Sequence, residues 1–244
     1  MTVHLFVPCY VDQFYPRVGI ATLRLLERVG CEVVYARGQT CCGQPMANSG
    51  AEAFAKTTYD NYVETFAAAD YIVTPSGSCA AHVRHHYDVL DQTPAVTRVR
   101  ERTYELCEFL VDVLDTPDVS ARFPHRVGLH QSCHGLRHLR LASDSERNDA
   151  PFSKITPLLD QVEGLQLVEL DRVDECCGFG GTFAVAQEAL SVRMGRDRLS
   201  DHLRHGAEYI LSADMSCMMH LEGLARRQGE DVQVRHVAEI LMSQ

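Results

Sequence analysis

No apolar run in this sequence is long enough to cross a membrane. The longest, such as residues 20–26, is interrupted by Arg24 and closed by Glu27, well short of the ~20 residues a span requires. Basic residues are scarce: 23 Lys and Arg stand against 33 Asp and Glu, for a net charge of −10. That balance argues against nucleic-acid binding, which depends on clustered cations neutralising phosphates. The one basic cluster, residues 98–102, is interleaved with Val99 and Glu101 and reads as a solvated helix start. The opening Met1-Thr2-Val3-His4-Leu5-Phe6-Val7 lacks the basic and small-residue segments of a secretory signal, so it reads as the first strand of a cytoplasmic protein. Also missing are the closely spaced cysteine knuckles of structural zinc sites and a G-x-G-x-x-G turn for a dinucleotide, so the chain shows no hydride acceptor of its own.

Cysteine, by contrast, is abundant, with ten among 244 residues. A reducing compartment makes a disulfide framework a poor explanation and points to metal or catalysis. Eight of the ten obey a repeat. Cys41-Cys42-Gly43 recurs as Cys176-Cys177-Gly178; Cys9 and Cys133 precede the two pairs, and Cys79 and Cys217 follow them in near-identical text, Tyr71-Ile72-Val73 matching Tyr209-Ile210-Leu211. An internal repeat of this kind fixes the architecture before any single element does. Cys31 aligns with Leu165 and Cys107 with Ala238, so both read as small core residues.

Hydrophobic periodicity predicts strands over residues 3–7, 32–36 and 71–74 in the first half and 127–130, 166–170 and 209–212 in the second. Helices are expected over 16–29, 51–69, 80–89 and 98–114, then 182–203, 216–227 and 237–242. On the helix over 51–69, Phe54, Tyr62, Val63 and Phe66 form the expected buried side. Residues 116–124, with two prolines, divide the chain into repeats 1–120 and 121–244, and residues 141–151 form a polar loop peculiar to the second. Alternating strands and helices imply an α/β fold of two pseudo-symmetric parallel-sheet units. Ligands of such sheets gather beyond the carboxyl ends of the strands, where all eight repeated cysteines fall.

Cys9, Cys41, Cys42 and Cys79, and likewise Cys133, Cys176, Cys177 and Cys217, are therefore candidate ligands of two soft-metal centres, zinc or iron–sulfur. The wide gaps joined by an adjacent pair suit an object larger than one ion. Gly43 and Gly178 follow the pairs, where a positive φ or an exposed N–H is useful. His82 and His220, each three residues after the last cysteine, and His134 are candidates for supporting the ligands. His130 and His134 flank Cys133, whereas Val7 and Tyr10 take the matching places around Cys9, which makes the second site chemically distinct. His85 and His86, and the pair His202 and His205, read as solvent-facing.

On these motifs the whole chain resembles the cysteine-rich CCG-domain family, and within it the lactate utilization protein A family. Related domains occur in heterodisulfide reductase and in the iron–sulfur component of glycolate oxidase. The resemblance implies a cytoplasmic electron-transfer component, carrying 4Fe–4S iron–sulfur clusters on the eight cysteines, in an oxidoreductase complex that converts L-lactate to pyruvate. Lactate utilization proteins B and C are the implied partners, and zinc the implied substitute after purification in air. A thiol–disulfide redox component like that of heterodisulfide reductase is the alternative that it allows, and a non-redox zinc protein a further one. The heterodisulfide reductase motif ends in Cys-x-x-Cys; here Ser76 and Asp214 replace the first of those cysteines, which weighs against its five-cysteine noncubane cluster while leaving four thiolates per half.

Overall fold

The computed structural model describes residues 1–147 and 149–244. Eight short strands form two four-stranded sheets: β1 (Thr2–Leu5), β2 (Glu32–Tyr35), β3 (Ile72–Thr74) and β4 (Thr103–Glu105) in the order β2-β1-β3-β4, then β5 (Arg126–Leu129), β6 (Gln166–Leu167), β7 (Tyr209–Ser212) and β8 (Gln233–His236) in the order β6-β5-β7-β8. Every pairing is parallel, and helices carry the chain back between strands. The repeat is thus an architectural one: each half is the same sheet with the same strand order. An antiparallel bridge joins Ser76 to Asp214, and Gly77 N–H donates to Ala213 O at 3.2 Å. Ser76 and Asp214 are equivalent in the repeat, so a local twofold relates the halves there.

The fourth strand of each sheet differs from expectation. The helical spacing of Val99, Leu106, Phe109, Leu110 and Val113 predicts one helix over residues 98–114. Instead Thr93 caps a helix Pro94–Arg102, accepting from Val96 N–H, and the chain then extends for three residues as β4. A strand this short, carrying buried Thr103 and Glu105, has no apolar alternation to announce it. Glu105 at once caps the next turn, its Oε2 accepting from Cys107 N–H at 2.7 Å and Glu108 N–H at 3.2 Å. Its counterpart His236, at the end of β8, accepts from Ala238 N–H at 3.0 Å through Nδ1. The expected helix over 182–203 also divides, at Gln187, into Phe183–Ala186 and Glu188–Arg204, and β6 keeps two residues of the five expected.

One core lies between the sheets and draws on both halves, from Val3, Leu5 and Leu25 to Val127, Leu129 and Ile240. Cys31, Cys107 and Ala238 sit in it, and Leu165, half-buried, packs against it. The closing helix Val237–Leu241 packs on Pro16–Arg28 of the other half, where Arg17 Nε meets Glu239 Oε1 at 2.8 Å. Among the described residues no helix is long and apolar enough to cross a membrane.

Candidate metal centre

The sheets deliver the eight cysteines to one edge. Pro8 ends the extended segment after β1 and Cys9 opens the helix Cys9–Phe14; Cys133 follows β5 and leads into a π-helical turn, His134–His138. The adjacent pairs lie in the loops after β2 and β6, while Cys79 and Cys217 stand in the first turns of Gly77–His86 and Met215–Gln228, after β3 and β7. Ser76 and Asp214 cap those helices, accepting from Cys79 N–H at 3.2 Å and Ser216 N–H at 3.0 Å. The two positions where the resembled motif has a cysteine are therefore occupied by residues suited to capping.

Glycine after each pair is required twice over. Gly43 and Gly178 have φ of 87° and 83°, values costly for a residue with a Cβ. A Cβ on Gly43 would come within 2.4 Å of Tyr59, and one on Gly178 within 2.7 Å of Met194 and of Ser191 O. The turn also aims an N–H at sulfur: Gly43 N donates to Cys41 Sγ and Gly178 N to Cys176 Sγ, both at 3.3 Å.

Within the first half Cys9 and Cys41 have their sulfurs 3.6 Å apart, and Cys42 and Cys79 theirs 3.4 Å apart. These are contacts rather than bonds, since a disulfide needs ~2.05 Å, and all ten cysteines are free. In the second half the sulfurs of Cys177 and Cys217 lie within 4.8 Å of each other, and Cys133 is close enough to Cys176 to perturb its thiol. Each set shares its protons unequally. Hydrogen bonds from Cys42 and Cys9, with Gly43 N–H assisting, push the Cys41 thiol down to about 3. Those from Cys133 and Cys177 push Cys176 down to about 2. Cys9 and Cys133, facing those thiolates, are pushed up. One thiolate per set, backed by an N–H and ringed by thiols, is a donor arrangement for a soft metal.

Both sets open onto one cavity of about 380 Å³, lined by seven of the eight cysteines. Residues of the two halves meet across it: the Gln44 amide nitrogen lies 3.3 Å from His134 Nε2, and the Tyr10 and Phe179 rings meet edge to face at 6.0 Å.

Of the three histidines singled out, His134 lines this cavity, and His82 and His220 stand behind the sulfurs. His82 Nε2 pairs with Tyr59 OH at 3.1 Å, and burial pushes its pKa down to about 4. His220 Nε2 lies 3.3 Å from Ser191 O. His130, which the sequence marks only as a neighbour of Cys133, proves to be the closer one: a ring nitrogen and the sulfurs of Cys177 and Cys217 all lie within 4.8 Å of one another. Sheet register also corrects its counterpart. His130 N–H donates to Leu211 O as Phe6 N–H donates to Val73 O, so Phe6, not Val7, holds the matching place.

Two further sequence readings are overturned. His202 is buried, its ring so close over Gly128 that a Cβ there would meet Nδ1 at 2.1 Å. Phe54 is 78% exposed, and Tyr59 fills the buried face in its stead. Helix Glu52–Phe66 buries Ala55, Tyr59, Tyr62 and Phe66; helix Glu188–Arg204 buries Ser191, Gly195, Arg198 and His202 at the same spacing. Tyr62 and Phe66 therefore correspond to Arg198 and His202. Single-helix periodicity could not find this, because arginine and histidine on a helix read as its wet face.

The family model "Cysteine-rich domain" matches residues 3–84 and 127–222. Lactate utilization protein A 1 of Bacillus cereus (strain AH820) is 41% identical over 247 aligned positions, covering 100% of this chain and 99% of that protein. Lactate utilization protein A of Geobacillus sp. (strain WCH70) is likewise 41% identical, with both chains covered in full. Among solved structures, a hypothetical protein from Helicobacter pylori matches with a TM-score of 0.58 at 11% identity. The match takes in 100% of this chain, which spans about half, 49%, of that one, and the likeness is one of fold.

Proposed function

The chain belongs to the lactate utilization protein A family of cysteine-rich domain proteins, and from that premise we propose that it is the iron–sulfur electron-transfer component of a system oxidising L-lactate to pyruvate. Cys9, Cys41, Cys42 and Cys79 would hold one centre, and Cys133, Cys176, Cys177 and Cys217 the other. The observation that carries the reading is the pair of four-sulfur sets opening onto one cavity at the carboxyl ends of both sheets. A bound 4Fe–4S cluster supplies one-electron storage.

The chain's own residues suit that task. Gly43 and Gly178 donate N–H groups to ligand sulfur, which favours the more reduced, more negative state. Burial of Cys42, Cys79, Cys177 and Cys217 keeps water from half of the thiolates. Hydride removal from lactate needs a flavin or nicotinamide site, and the sequence has no dinucleotide fingerprint. That step is assigned to partners, with lactate utilization proteins B and C as the expected ones.

The test is iron and acid-labile sulfide content with electron paramagnetic resonance on anaerobically purified protein. Both elements should be present with a reducible cluster signal, and a cell lacking the chain should fail to grow on L-lactate. Stoichiometric zinc in colourless anaerobic protein would end the reading. So would lactate oxidation by the isolated chain without partner or flavin.

A further inference from the structure

His130 is left without a role by the thiolate sets. It ends the extended segment after β5, three residues before Cys133, and is 1% exposed. Neither ring nitrogen has a hydrogen-bond partner among the described residues. Such a group carries its full desolvation penalty, and the first half avoids it by placing Phe6 there, packed edge to face on Tyr62 and Phe66. The second half instead aims the imidazole at Cys177 and Cys217, with the three donor atoms within 4.8 Å of one another. An imidazole nitrogen without a hydrogen-bond partner is a donor of the kind that binds metals. His202 also has unpartnered nitrogens, but its ring lies over Gly128, and it takes no part in the sulfur group.

We propose that His130 is a ligand of the second centre beside Cys177 and Cys217, taking the place of one of the four thiolates assigned above, so that the first centre is held by thiolates alone and the second by three thiolates and an imidazole nitrogen. The assignment rests on the iron–sulfur reading above. A neutral imidazole donates less negative charge to iron than a thiolate, which raises the reduction potential. The second centre is then the electron sink of the pair, and an electron entering at the first moves toward it.

The experiment uses full-length protein labelled with ¹⁵N-histidine, loaded anaerobically with iron and sulfide, and reduced for pulsed paramagnetic resonance. The wild type should show the strong hyperfine coupling of a directly bound imidazole nitrogen, and His130→Phe should lose it while keeping the first centre. His130→Cys should restore a full second centre with no nitrogen coupling and a lower reduction potential, a shift that a merely structural histidine would not produce. Should His130→Phe fail to fold, His130→Gln serves the same comparison. Absence of the coupling in the wild type, or its persistence in the folded variant, overturns the proposal. Failure to take up any iron and sulfide would sink the iron–sulfur reading instead, and Co(II) would then decide this one: thiolate-to-cobalt bands identical in wild type and His130→Phe overturn it.

Discussion

Behind the sulfurs of the first half stand Phe6, Tyr62 and Phe66, packed edge to face or tilted with ring centroids 4.7–5.9 Å apart. At the same places in the second half stand His130, Arg198 and His202. Arg198 and its partner Asp201 are both 0% exposed, Nη1 to Oδ2 at 3.2 Å. The contrast extends to the supporting histidines. Tyr59 gives His82 a hydroxyl partner, whereas Gly195 makes room for His220, since a Cβ there would meet its Nε2 at 2.7 Å. A duplicated backbone has thus kept the positions of its sulfurs while the wall behind them diverged from apolar to ionic. An apolar wall stabilises by packing; a buried ion pair returns little net stability, but it brings a fixed positive charge close to the second sulfur set.

The deepest cut into this comparison is removal of a ligand from either side. Cys42→Ala and Cys177→Ala should each abolish one centre and halve the iron and sulfide content, measured on anaerobic protein. Loss of all iron from either variant would mean that the two halves do not bind independently.

Next in size is the wall itself. Arg198→Met removes the buried guanidinium, while Asp201 keeps Arg204 Nη2 at 3.0 Å and the N–H groups of Asp171 and Arg172, and should cost about 1.5–3 kcal/mol in urea unfolding. Tyr62→Phe removes only the hydroxyl that lies 3.3 Å from Thr103 Oγ1, for about 1 kcal/mol. Similar losses from the two variants would erase the distinction between an ionic and an apolar wall.

The equivalent caps Glu105 and His236 sharpen the comparison through pH. Burial raises the Glu105 carboxyl to about 8 from 4.5, so its contribution is fully present below pH 4.5 and is lost as pH rises through 8. Burial lowers His236 to about 4 from 6.5, so its contribution is present above pH 6.5 and is lost as pH falls through 4. Glu105→Gln should therefore raise the unfolding midpoint of metal-free protein near pH 8, and His236→Asn near pH 4, each by on the order of 2 kcal/mol. Matching pH profiles for the two variants would contradict the opposite signs.

Smallest are the two unrepeated cysteines. Cys31→Ala and Cys107→Ala should leave metal content unchanged and cost about 1 kcal/mol each, below the range of a buried Leu→Ala deletion. Iron loss equal to that of Cys42→Ala in a folded protein would put Cys31 or Cys107 among the ligands.

The repeat was legible in the chain because its marks are local. A glycine after a cysteine pair permits the left-handed turn seen at Gly43 and Gly178; strand, turn and cysteine follow within a few residues of one another, so their order carries the parallel α/β plan and the grouping of sulfurs at the sheet edge. Cys31 opposite Leu165 and Cys107 opposite Ala238 could likewise be read by alignment alone as core positions. Four features lay outside that reach. β4 (Thr103-Tyr104-Glu105) and β8 (Gln233-Val234-Arg235-His236) each hold a single hydrophobic residue and so show no apolar period; Phe54 faces water while Tyr59 packs over Gly43, across the chain fold; His202 is buried by the absence of a side chain at Gly128; and His130 meets Cys177 and Cys217 only when three loops converge. Local spacing determined which residues could be ligands. Which groups surround them was decided by packing between segments far apart in the chain, where one helix buries phenylalanine and its twin, at the same spacing, buries arginine and histidine.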